Sequence, residues 1–379
     1  MKIAIIATNF QSLSPKDVIY APLMITKELA EGLQERGHEV TLFASSDSES
    51  KTKISSGNLP SLRKNKEWDK VLKKIEEHAH NPYFKKKAVK YAEVLRQNYE
   101  LFLSAELFKR AGEFDIIQTH SPPQITQLAA FTDTPVAVTS HDPYSYPVES
   151  GLTRVIYEEL SRRNKNVYFL SLSESQKKQS DRLPFIDTVY NGIDTKKFRF
   201  SPENGDYLLF VGRMHPGKGA HTAAQVAKET GEKLKLVGPS HKHRDNYWSE
   251  KIEPFLSDKI TYEGSLPREE LIPLYQNAKA LLMPIESEES FGLVMIEAMA
   301  CGTPVIGFNR YSVPEIVTDK KTGFLVKDKK EMLSAITKID LLDRANCRSE
   351  VEERFTIDKM VERYEKAYEK ILKTHRKDK

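Results

Sequence analysis

The chain has 379 residues, 39% of them hydrophobic and 30% charged, with a formal net charge of +4. That length is too great for one typical core, so two domains of about 150 to 200 residues are expected. The composition excludes a disordered or fibrous chain. Two cysteines, Cys301 and Cys347, exclude a disulfide framework and point to a reduced, cytoplasmic setting.

No apolar run reaches the roughly 18 residues of a membrane span. The opening MKIAIIATNF lacks a signal peptide's long apolar core and small-residue cleavage site, and reads as a first buried strand. The helical pattern APLMITKELAEGLQERG follows, with Pro22 suited to a first turn and Gly37 to the residue past the end. HEVTLFA is the next strand. A lysine-rich helical region then runs to about Arg110. Between residues 51 and 110 there are 15 Lys and Arg against 7 Asp and Glu, and segments such as YFKKKAVKY alternate base with aromatic. This is either a solvated helical face or a surface for anionic membrane or a phosphate-bearing acceptor. No nucleic-acid motif is present, so no nucleic-acid partner is expected.

Further along come FDIIQTH, a short helix near PQITQLAAF, the strand PVAVTSH, the helix RVIYEELSRRN and the strand VYFLSLS. Strands alternating with helices of this length predict βαβ units on a parallel sheet. Turn chemistry interrupts the pattern at VYNGIDTKKFRFSPENGD, residues 189 to 206. The alternation then restarts at YLLFVG and runs through KLKLVG, KITYEG, KALLMPI, PVIGF and GFLVK. The final stretch predicts a long amphipathic helix, with Val361, Tyr364, Tyr368 and Ile371 at helical spacing. The fold class is therefore α/β, with two doubly wound domains.

Ligands of such sheets bind outside the carboxyl ends of the strands. After YLLFVG stands RMHPGKGAH, where Arg213 and Lys218 bracket a Pro-Gly turn opening into a helix. Two cations beside a helix N-terminus suit a diphosphate. Gly212 to Lys218 has the Gly-x-x-x-x-Gly-Lys spacing of a P-loop, but Gly219 replaces the Ser or Thr that would hold Mg²⁺, which argues against a nucleotide hydrolase.

After KALLMPI comes EESFGLVMIEAMACGTPVIGF. Ser290 is a candidate cap for a buried helix from about Phe291 to Ala300, in which Glu297 is the lone charge. On such a helix Glu297 projects about two turns along from the start, near 10 Å. Glu289 and Glu297 then suit the hydroxyls of a sugar and of a ribose, because carboxylates only accept hydrogen bonds. A buried pair with an Arg or Lys is the other reading of Glu297. Two histidines, His120 and His141, end strands of the first half. One of them, His120 by preference, is a candidate for a sugar hydroxyl, and packing is the other reading. No Asp-x-Asp is present, and the pairs His78/His80 and His241/His243 lack further ligands, so no metal is expected.

Taken together, ESFGLVMIEAMACGTPVIG, VPEIV, TGFLV, FVGRMHPGKG, YNGIDTKKF and RGHEVTLF resemble the family 4 retaining glycosyltransferases of the GT-B fold. The match spans residues 1 to about 365. The resemblance implies two Rossmann-like domains facing each other across a cleft. These are an acceptor-binding domain over residues 1–190, a nucleotide-sugar donor-binding domain over 191–360, and a helix over 361–379 crossing back to the first.

It implies sugar transfer with retention of configuration, without metal or cofactor, from a nucleotide diphosphate sugar. UDP is the first choice of nucleotide, GDP or ADP the others. The acceptor would be a sugar, a small molecule or a lipid-linked group. In this family Arg213 and Lys218 would hold the diphosphate, and Glu289 would contact the transferred sugar with Ser290, Phe291, Gly292 and Leu293. Glu297 would bind ribose, Gly264, Ser265 and Leu266 the base, and His120 the reacting end of the sugar. Tyr20, Ala21 and His141 would face the acceptor or the first loop. The family has Gly-Gly where this chain has VIYAPLMIT, and only glycine tolerates every backbone angle there. Alternatives are a phosphorylase or sugar-nucleotide epimerase of the same fold, or a non-catalytic nucleotide-sugar binding module.

Overall fold

A computed structural model describes residues 1–13, 21–79, 81, 83–120, 126–144, 149–240 and 246–377. The chain forms two compact units. The first combines Met1–Ser171, Ser180–Val189 and Val361–Lys379, and the second Leu172–Gln179 and Tyr190–Met360.

The first unit is built on seven strands: β1 (Lys2–Ile6), β2 (Glu39–Phe43), β3 (Lys53–Ser55), β4 (Ile116–Thr119), β5 (Val136–Thr139), β6 (Val167–Ser171) and β7 (Phe185–Thr188). Their order is β3-β2-β1-β4-β5-β6-β7, and every pairing is parallel. Four of the five residues of β1 and all four of β4 and β5 are buried. That follows from helices covering both sheet faces, which requires near-continuous apolar strands. Helix Ala21–Glu35 turns Leu29, Ala30 and Leu33 inward. Gly32 leaves no room for a β-carbon there, since one would lie 2.5 Å from Val361 Cγ2. Helix Ile357–Lys377 begins at the edge of the second unit and from Val361 onward belongs to the first. Its buried Tyr364 and Tyr368 donate to Thr139 Oγ1 at 3.3 Å and Gln118 Oε1 at 3.1 Å.

Between β3 and β4 the first unit inserts two helices, Lys66–Ala79 and Lys85–Phe108. They pack on one another around Leu62, Leu72 and Tyr99.

The second unit has six parallel strands: β8 (Tyr207–Val211), β9 (Lys233–Val237), β10 (Ile260–Gly264), β11 (Ala278–Met283), β12 (Val305–Phe308) and β13 (Gly323–Val326). The order is β10-β9-β8-β11-β12-β13. Alternate residues feed separate cores on the two faces. Tyr207, Leu209, Leu281 and Met283 enter one, and Leu208, Phe210, Ala280 and Leu282 the other.

In both sheets the winding direction reverses at the first strand, between β1 and β4 and between β8 and β11. Such a switch point splays the two following loops apart, leaving a crevice at the carboxyl edge.

Candidate functional site

In the second unit the two loops at the switch point are the ones singled out by residue type. After β8 the chain runs through Gly212 and Arg213 into a short 3₁₀ turn, Pro216–Lys218, and then helix Ala220–Thr230. His215 starts the turn by accepting from the Gly217 amide at 3.2 Å. After β11 the chain runs through Pro284 to Gly292. Hydrogen bonds stitch the two loops: the amides of Glu286 and Ser287 and the Ser287 hydroxyl all donate to Gly217 O at 3.0 Å. Gly219 holds φ of +77°, and a β-carbon there would stand 2.0 Å from Pro284 O. Both the angle and the close approach require glycine.

This stitching brings Lys218 and Glu289, 71 residues apart, to 2.5 Å. Both side chains are largely covered, at 22% and 17% exposure. The ammonium has three donors and spends one on Glu289; the carboxylate keeps acceptor positions free. Arg213 is exposed beside them in the chain.

The structure corrects the capping expectation for Ser290. Helix Leu293–Ala300 starts after Gly292, whose φ of +92° makes it the cap residue, and no side chain caps the helix. Ser290 is buried, and its hydroxyl instead accepts from Gln176 Nε2 at 3.2 Å. Phe291 is buried against Tyr190 and Phe355, and its carbonyl accepts from Ser312 Oγ at 2.8 Å. Leu293 begins the helix, which is buried from Met295 to Ala300.

Glu297 is buried and fully engaged on one side. Arg268 Nε and Nη2 lie 2.9 Å from Oε1, and the Tyr275 hydroxyl donates to Oε2 at 2.9 Å. The buried ion pair read as one alternative is therefore formed. Arg268 and Tyr275 lie on helix Arg268–Gln276, and residue type alone did not single them out. Gly264 ends β10 with its carbonyl accepting from the Gly238 amide at 2.8 Å. Ser265 is exposed, and Leu266 packs against the core.

In the first unit, His120 and His141 follow the neighbouring strands β4 and β5. The pairing of those strands brings His120 Nδ1 and His141 Nε2 to 2.9 Å. Burial, with His141 beside it, holds His120 well below the usual histidine range. Burial pushes His141 down to about 4. The pair is neutral near pH 7, and His120 Nε2 is buried without a hydrogen-bond partner among the described residues. Composition gave no sign of Glu100 on helix Lys85–Phe108. It is buried, accepts from Thr8 Oγ1 after β1, and is pushed up to about 7 by burial. Tyr20 lies outside the described residues, as do Val18 and Ile19 before it in the segment where glycines are missing. Ala21 opens helix Ala21–Glu35. His80, His241 and His243 also lie outside them. Among the described residues no three His, Cys, Asp or Glu side chains are grouped to hold a metal.

A family model described as Glycosyl transferases group 1 matches residues 193–355, and one described as Glycosyltransferase Family 4 matches residues 24–197. A D-inositol 3-phosphate glycosyltransferase of Frankia alni is 31% identical over 188 residues, which are 43% of this chain and 46% of that one. The chain spans 35% to 62% of the length of such curated relatives. In fold it is similar to sucrose-phosphate synthase from Thermosynechococcus elongatus, with a TM-score of 0.69 and 19% identity over 98% of this chain and 99% of that one. It is also similar to Anabaena HepE solved with UDP and glucose, with a TM-score of 0.68 and 18% identity over 97% and 99%. With both halves matched in order and two Rossmann-like units of the GT-B kind, the chain belongs to the family 4 glycosyltransferases.

Proposed function

We propose that the protein transfers a sugar from a nucleoside diphosphate sugar to an acceptor hydroxyl, with retention of configuration and without a metal ion. The observation that carries this reading is the Lys218–Glu289 pair at the switch point of the second unit, with exposed Arg213 earlier in the Lys218 loop. A nucleoside diphosphate needs no protonation to leave if its growing charge is neutralised. Arg213 and the two unspent donors of Lys218 supply that, and Glu289 accepts from hydroxyls of the transferred sugar. UDP is the favoured nucleotide, supported by the HepE structure solved with UDP and glucose.

In the proposed step the bond from the anomeric carbon to the leaving phosphate oxygen breaks as the acceptor oxygen attacks from the same face. The acceptor proton passes to the departing phosphate oxygen. No carboxylate is required as a nucleophile, and Glu289 and Glu297 are already paired with cations. Glu297 keeps about one free acceptor position for a ribose hydroxyl. The acceptor, a sugar or a lipid-linked group, is assigned to the first unit, with His120 Nε2 the atom that meets a sugar hydroxyl.

The test combines binding with turnover. UDP-, GDP- and ADP-sugars are screened by thermal shift; one present at 100 times its Kd should add about 2.7 kcal/mol. Lys218→Ala and Arg213→Ala should each lower transfer by about a hundredfold or more. Unchanged transfer in both would sink the diphosphate assignment.

A further inference from the structure

Helix Lys85–Phe108 is buried on its inner side and leaves a row of aromatic side chains largely exposed on its outer side. Ala92, Leu95 and Tyr99 pack inward against Leu62, Leu72 and Trp68. Along its outer side Phe84, Lys87, Tyr91, Val94 and Asn98 recur at helical spacing and are exposed; Phe102 ends the row, half exposed, with its ring edge on Trp68, centroids 5.8 Å apart. Tyr91 is 59% exposed and Phe102 51%. Tyr83, just before the helix, is 81% exposed, its ring meeting that of Phe84 edge-on, centroids 5.0 Å apart. From Phe84 to Phe102 the stripe runs about 27 Å.

The charge around this stripe is one-sided. Between residues 63 and 96 there are 11 Lys and Arg and 5 Asp and Glu. Two of the five acids are paired on the neighbouring helix, Asp69 with Arg63 and Lys73 and Glu76 with Arg63, and Glu93 on this helix accepts from Gln97 Nε2 at 3.0 Å. Among the described residues Lys86, Lys87 and Lys90 make no ion pair, and all three are exposed.

We propose that this stripe docks the protein on an anionic lipid bilayer. Tyrosine and phenylalanine rings settle at headgroup depth, where an amphipathic ring is favoured. The lysine stems lie along the apolar boundary with their ammonium groups among the phosphates. A second copy of the chain fits the stripe poorly, because self-pairing would face uncompensated lysines with lysines. The helix is already held by its inner face, so docking carries no folding cost. This surface is independent of the proposed transfer. It would bring a lipid-linked acceptor to the first unit.

The test is flotation with vesicles of phosphatidylcholine alone and of equimolar phosphatidylcholine and phosphatidylglycerol. Binding is expected only to the latter and should weaken as salt rises. The triple variant Lys86→Gln/Lys87→Gln/Lys90→Gln should bind roughly a hundredfold more weakly, at about fivefold per lysine. Tyr83→Ser/Tyr91→Ser should lose about tenfold or more. Unchanged Tm and UDP-induced thermal shift establish that the variants remain folded. Three outcomes overturn the proposal: no binding by wild type, full binding by the tyrosine variant, or a dimer in solution that the same substitutions dissolve.

Discussion

The Arg268–Glu297 pair offers a way to separate support of the fold from grip on the ligand. Glu297 receives two hydrogen bonds from Arg268 and one from Tyr275, each 2.9 Å, and the two charged side chains are 13% and 8% exposed. At that burial the pair behaves as an internal ion pair, not a surface one. Removing one partner leaves an uncompensated charge, at about 3–5 kcal/mol. For Glu297→Leu this corresponds to a Tm lower by roughly 6–20 °C, at about 2–4 °C per kcal/mol.

Replacing both charges, Arg268→Met with Glu297→Leu, removes the orphaned cation, and such swaps are often neutral. The Tyr275 hydroxyl still loses its acceptor, costing about 1–3 kcal/mol. The double variant should therefore recover part of the lost Tm but none of the lost ligand affinity. If Glu297 binds ribose, UDP affinity measured by calorimetry falls about tenfold to a hundredfold in both variants. Wild-type affinity in the refolded double variant would refute the ribose assignment. An unchanged Tm in the single variant would refute the energetic argument.

Other outcomes follow from the same geometry. Glu100 holds its proton up to about pH 7 in the fold, against 4.5 when unfolded, so the native state binds more protons in that window and stability falls as pH rises through it. Glu100→Gln should gain on wild type above pH 7, relative to below pH 4.5, by up to about 3 kcal/mol in urea denaturation; a constant difference at both ends would contradict the shift. His141 acts in the opposite sense: neutral in the fold down to about 4, it lets the unfolded chain take up the extra proton below 6.5, so stability is lost as pH drops from 6.5 towards 4. Gly219→Ala should cost about 1–3 kcal/mol and weaken UDP binding, since a β-carbon cannot share space with Pro284 O at a φ of +77°; wild-type stability and affinity would show that the loop yields freely. Dialysis against EDTA should leave sugar transfer undiminished, and a loss reversed by added Mg²⁺ would count against metal-independent transfer.

The two sheets were legible because buried parallel strands leave short apolar runs between amphipathic helices, as in KIAIIA and YLLFVG. The nearness of Lys218 and Glu289 was only half legible. Each residue type stood out beside its strand, but their meeting depends on β11 lying next to β8, which local periodicity does not encode. The same holds for His120 and His141, joined by adjacent β4 and β5. Ser290 misled because serine is a strong capping type; here Gln176, 114 residues away in sequence, claims its hydroxyl, and Gly292 takes the left-handed angle that starts the helix. For Glu297 the need for a partner was legible from burial alone, but Arg268 and Tyr275 were two among many candidates. Glu100 gave no signal, sitting in a helix whose sequence reads as solvated.

The tyrosines of helix Ile357–Lys377 have a consequence for how the protein is made. Tyr364 and Tyr368 complete the interior of the first unit beside Thr139 and Gln118, yet all of Tyr190–Met360 must be synthesised before them. At about 5–20 residues per second, the sheet that carries His120 and His141 emerges from the ribosome on the order of ten to thirty seconds before its last two aromatic side chains. During that interval an apolar seam beside β4 and β5 is uncovered. A chaperone or the bilayer surface would find it available in the nascent chain and closed in the finished one.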